Sequence, residues 1–181
     1  MKITIHRRRT RSFWFATAVL AFFFIATSSV WTQMAPSGVL VGPTLSASLR
    51  NAAVATKDQA VAVQATANNW ARRANSAYYR VENFQPDIRT MYLQFRTLRE
   101  RFNWMGGLAL ESKKPNASNA LAELDAGLNI IEELLVFLDQ QFNAGNLDHS
   151  TLVRTSGTLA DVMGQWGQEF KRSSSRMGIA L

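Results

Sequence analysis

Between Leu45 and Met105 the apolar and small residues recur at alternating steps of three and four. The run passes through Leu49, Ala52, Thr56, Ala60, Val63, Ala67, Trp70, Ala74, Ala77, Val81, Phe84, Ile88, Met91, Phe95, Leu98 and Phe102, with one extra step of four at Thr56. A strand buries every second residue and cannot keep this spacing, whereas a helix brings such positions onto one face. The pattern is a heptad seam with one stutter. Its first half is small, carried by Ala52, Ala60, Ala67, Ala74 and Ala77, and its second half is large. Alanine buries little area, while each large side chain fully buried is worth about 1.5–3 kcal/mol, so the two halves pack differently.

A second seam runs through Leu121, Leu124, Leu128, Ile131, Leu135, Leu138 and Phe142, widened by Ile130, Leu134 and Phe137. A face that broad is expected inside a multi-helix bundle. A third carries Leu152, Leu159, Val162, Met163, Trp166, Phe170 and Met177. No part of the body sustains the alternation of a strand. The expected fold class is all-α: an N-terminal transmembrane (signal-anchor) helix followed by an antiparallel bundle of three to four long helices with heptad-like seams.

Punctuation residues set the expected boundaries of a bundle spanning 45–177. Pro86 predicts a kink or tight restart, separating a helix over 45–84 from one over 86–105. Gly106-Gly107 and the stretch ESKKPNASN predict an end and a turn, followed by helices over 118–143 and 148–177, with Asp148 as an N-cap. Three consecutive serines after Arg172 predict fraying, and 178–181 is a tail. Whether 45–84 folds back or projects as a stalk is open at this stage.

The segment before the bundle addresses the chain to a membrane. Residues 12–31 carry no charge and as a helix span about 30 Å, the thickness of a hydrocarbon core. The anchor residues are Phe13, Trp14, Phe22, Phe23, Phe24 and Trp31, with the two tryptophans placed for the interfaces. A cleaved signal is the competing reading, because Ala26-Thr27-Ser28 offers small residues at the end of the most apolar stretch. Residues 32–44, with Pro36 and Pro43, form a linker. After Trp31 no apolar run is long enough to span again, so a single pass is expected.

The chain holds 20 basic and 13 acidic side chains, a net +7, and five of the basic ones (Lys2, Arg7, Arg8, Arg9 and Arg11) precede Ser12. The body is therefore nearly neutral. Arg7, Arg8, Arg9 and Arg11 are topology charges that hold the segment 1–11 on the cytoplasmic side, placing the body outside, in a periplasm or its equivalent. No nucleic-acid partner is expected, since a binder keeps its basic excess on the folded surface.

Reactive chemistry is sparse. There is no cysteine, and the two histidines, His6 and His149, are too few for a histidine metal site or triad within one chain. No enzyme activity, cofactor or metal is expected. The most unusual stretch of the body is WARRANSAYYRVENF, whose Trp70, Arg72, Arg73, Tyr78, Tyr79 and Arg80 form a candidate interaction patch, these residue types being enriched at interface hot spots. The expected partners are the membrane and another membrane or envelope protein, or a second copy through coiled-coil packing. The leading function is a structural or interaction subunit of an envelope assembly. The alternative is an exported helical module holding a small apolar ligand or pigment between helices.

Overall fold

Helix α1, Leu45–Ala74, follows the first seam: Leu49, Ala52, Thr56, Ala60, Val63, Ala67, Trp70 and Ala74 are all buried. The Thr44 side chain caps it by accepting the Ala47 N–H at 3.3 Å. In this computed structural model residues 44–181 are described. They form four helices: α1, then α2 (Phe84–Glu111), α3 (Ala117–Asn143) and α4 (His149–Arg176). There is no strand among the described residues. The expected membrane segment, with its anchor residues and topology charges, lies outside them, and no described helix is long and apolar enough to cross a membrane.

Each helix packs against the two beside it in chain order, α1 on α2, α2 on α3, α3 on α4 and α4 on α1. Gln59 of α1 donates to the Gln94 carbonyl while Arg101 reaches back to that of Ala55, which makes α1 and α2 antiparallel. This is an up-down-up-down bundle, and α1 is one of its four walls and not a stalk.

Three boundaries differ from the sequence expectation. Helix α1 stops at Ala74 and does not run to Phe84, because the chain must reverse there to bring the large half of the seam onto the core. Ala77, in phase with the seam, is exposed. Pro86 then sits third in α2, inside the first turn, where a missing N–H costs no helical bond. Helix α2 continues through Gly106-Gly107 to Glu111, since a glycine in a helix costs only about 1 kcal/mol and Met105, Gly106, Leu108 and Ala109 are buried there. The stop comes at Lys113, which takes a left-handed φ of 49° while the Lys114 N–H bonds the Ala109 carbonyl at 3.1 Å, a Schellman end built without glycine. At the other extreme α4 does not fray at its serines: Ser173 and Ser174 are buried, and Ile179 packs beneath the αL turn at Gly178.

The broad face of α3 is only partly used. Leu124, Leu128, Ile131, Leu135 and Leu138 are buried, Leu134 is half-buried, and Ile130 and Phe137 are exposed. Two flanking helices cover one stripe of α3, and residues beyond that stripe face outward.

The core is filled by α2, α3 and α4. Trp166 stacks on Phe170 at 5.3 Å and meets the edge of Phe102 at 6.0 Å. Its indole N–H donates to the Leu124 carbonyl of α3 at 2.8 Å, a contact possible only because residue 127 is glycine: a Cβ there would lie 2.7 Å from Trp166 Cδ1. Gly107, by contrast, has open space where a Cβ would go. Gly107→Ala is therefore expected to raise stability by about 0.5–1 kcal/mol through helix propensity. Gly127→Ala is expected to lower it, overpacking of about 1–3 kcal/mol outweighing the same propensity gain. Urea denaturation midpoints at unchanged helical signal measure both, and a Gly127→Ala chain as stable as the parent would mean that the indole moves freely.

Candidate interaction site at the end of the bundle

The stretch from Trp70 to Phe84 is the reversal between α1 and α2. After Ala74 the chain turns on backbone bonds from Ser76 N–H to the Arg73 carbonyl (2.9 Å) and from Tyr79 N–H to that of Ser76 (3.0 Å). A single 3-10 turn, Val81–Asn83, leads into α2.

Burial of Trp70 organises this end. Its ring is inside the core, tilted against Phe84 at 5.9 Å, and Phe84 in turn stacks on Phe142 of α3 at 4.7 Å. A buried indole N–H needs an acceptor. Tyr79 supplies it, its hydroxyl oxygen lying 3.1 Å from Trp70 Nε1, and that hydroxyl donates to Asp87 Oδ2 at 2.9 Å. Arg73 closes the set with a 2.6 Å ion pair to Asp87 Oδ1. Burial, assisted by the neighbouring Asp87 carboxylate, pushes the Tyr79 hydroxyl up from 10.0 to about 12, against the opposing effect of the Trp70 bond.

The candidate patch is thereby divided. Trp70, Arg73 and Tyr79 hold the reversal together, whereas Tyr78 is 91% exposed, Arg80 is exposed, and Arg72 bonds only the neighbouring Asn69 Oδ1 at 2.9 Å. Arg72, Tyr78 and Arg80 form the presented surface. It lies at the C-terminal end of α1, whose 30 residues rise about 45 Å from Leu45.

The same end of the bundle carries the turn between α3 and α4. Asp148 caps α4 by accepting the Thr151 N–H at 2.7 Å, and that bond with those of Ser150 and Thr151 hydroxyls holds its carboxyl below the usual range. His149 beside it is exposed. Glu132 is engaged by Arg99 of α2 at 3.3 Å, and no cluster able to hold a metal occurs among the described residues. Arg99 also reaches Asp125 (3.4 Å) and Asn129 (2.6 Å), so the acidic helix meets basic residues within the chain. The grooves among the described residues open at the surface; one of about 190 Å³ runs between α1 and α4 past Gln64 and Gly164. Sequence reasoning missed the outward apolar residues Leu93 and Trp104, whose helical positions away from the seam were the available signal.

Comparison with known proteins gives no match to a family model, to a curated protein or to a solved structure.

Tyr79→Phe removes the atom that both Trp70 and Asp87 use, and is expected to cost about 1–3 kcal/mol. Because the folded-state pKa is raised, this contribution is whole below pH 10 and declines as pH climbs from about 10 to about 12. The stability gap between parent and Tyr79→Phe, followed by denaturant midpoints across that window, should close. A gap that stays constant to pH 12 would show that the hydroxyl is not held neutral by folding.

Proposed function

We propose that the chain is a non-enzymatic, single-pass membrane-anchored helical bundle serving as a structural or interaction subunit of an envelope or membrane assembly. Its amino terminus is cytoplasmic and its bundle extracytoplasmic. The observation that carries the reading is the exposed Tyr78 at the end of the bundle remote from Leu45, flanked by Arg72 and Arg80 without acidic partners among the described residues. An amphipathic ring standing free beside two unpaired guanidinium groups suits a partner that stacks and supplies carboxylates. The uncharged run 12–31 behind Arg7, Arg8, Arg9 and Arg11 supports the anchored placement.

Two measurements test this. Intact mass of the protein from its native membrane is expected to include Met1, and a mature chain starting near Val30 would replace the anchor with export. A photo-crosslinking residue substituted at position 78 is expected to trap a membrane or envelope protein, and a neighbouring Arg72→Ala/Arg80→Ala change to reduce that adduct at least tenfold with the denaturation midpoint unchanged. An adduct that persists undiminished would remove the tip from the interaction.

A further inference from the structure

Two exposed strips lie side by side on the outer surface of α2 and α3. On α2, Arg89, Leu93 and Arg96 stand outward at helical spacing, Leu93 being 61% exposed. On α3, Ile130, Glu133 and Phe137 do the same, the two apolar side chains 50% and 40% exposed, with Val136 beside them. One strip is basic around an apolar centre and the other acidic. Neither is satisfied within the chain: Arg89 and Glu133 form no ion pair among the described residues, and Arg96 pairs only along its own helix, with Glu100 at 3.0 Å.

The register between the strips follows from Arg99, which bonds Asn129 at 2.6 Å across the α2–α3 contact. The helices are antiparallel, so moving from Arg99 back to Leu93 corresponds to moving from Asn129 on to Leu135. Leu93 is therefore level with Glu133 and Phe137, and Arg96 with Glu132 and Glu133.

We propose that this α2–α3 face docks a second copy of the chain about a two-fold axis parallel to the helices. Such a rotation sets α2 of each copy against α3 of the other at unchanged height, so the basic strip meets the acidic one twice. Leu93 packs on Phe137 of the second copy, and Arg96 pairs with its Glu133. The complementarity lies within one face, which favours a second copy over a foreign helix that could match only one strip. Two neighbouring helices about 40 Å long offer on the order of 800 Å² per copy, the size of a standard stable interface. This axis also leaves both α1 N-termini at one end, as two chains held in the same bilayer require. That last point alone rests on the anchored reading.

The chain has no cysteine, so introduced thiols report directly. Full-length chains carrying Leu93→Cys and differently tagged chains carrying Phe137→Cys, co-expressed and oxidised in membranes, are expected to form a mixed disulfide-linked dimer. Its yield should exceed at least tenfold that of Val61→Cys chains, whose thiol stands on the exposed face of α1. Adding Arg96→Glu to the first chain should cut the yield at least fivefold, and adding Glu133→Arg to the second should restore it. Equal linkage at Val61, absence of the mixed dimer, or insensitivity to the charge exchange would each overturn the proposal. The cysteine-free full chain in detergent provides a second readout: it should sediment as two copies, and a single-copy mass at all concentrations would overturn the proposal as well. A chain recovered without membrane that still links Leu93→Cys to Phe137→Cys would keep the dimer while ending the anchored reading.

Discussion

The bundle depends on how little α1 places on its inner face. Ala52, Ala53, Ala60, Ala67 and Ala74 are buried there, and helices carrying small side chains at a contact can approach more closely than the 8–10 Å typical of larger ones. Helix α4 also carries small residues, among them Ala160 and Gly164, the latter beside Gln64 of α1. A Cβ on Gly164 would lie 2.9 Å from Gln64 Nε2, the movable end of a long α1 side chain. The stutter at Thr56 belongs to the same contact: its buried hydroxyl donates to the Ala52 carbonyl at 2.8 Å, so a polar residue sits on the seam without an unpaired group. Bulk comes from the other three helices, whose leucines and aromatics supply most of the buried apolar area.

A wall of alanines gains little from each residue, and its placement leans on its ends. Trp70 is the largest side chain on the α1 seam, and its burial creates a demand for an acceptor that no other α1 residue meets. Tyr79 meets it only if the chain reverses directly after Ala74, and Asp87 then joins the hydroxyl to Arg73 on the α1 side. Core chemistry thus draws Tyr79 inward, while Arg73 pairs with Asp87 at the surface. The intervening residues of so short a reversal have nowhere to pack, which turns Tyr78 and Arg80 out.

The seams were legible in the sequence because burial on a helix repeats at a fixed period: from Leu49 to Ala74 and from Phe84 to Met105 the expected positions are the buried ones. The reversal between them was not. Its residues Ala77 and Val81 continue the spacing, and periodicity alone cannot distinguish a helix that goes on from two helices that happen to share phase. Gly106-Gly107 misled for a different reason: each glycine costs a helix only about 1 kcal/mol, and burial of Met105, Leu108 and Ala109 on either side outweighs it. The aromatic and arginine stretch stood out by composition, but composition could not assign its members to interior and surface. Adjacent tyrosines took opposite roles because only one hydroxyl could reach the indole.

Charge follows the same logic of position over count. Helix α3 has five acidic residues and no basic one, yet they serve different ends according to which side of the helix they occupy. Asp125 and Glu132 flank Arg99, itself 27% exposed, where partial removal of water strengthens a network that would be worth little on an open surface. Glu123 pairs with Arg176 of α4 at 3.2 Å, with both side chains about half exposed. Glu133 lies between these two flanks, turned away from both neighbours, and so cannot contribute to the bundle that buries the rest of its helix. With Ile130 and Phe137 on either side of it, the outer stripe of α3 repeats the apolar spacing of an inner one. A stripe so patterned gains from burial against a surface that brings both apolar area and positive charge, and the neighbouring stripe of α2 has that composition.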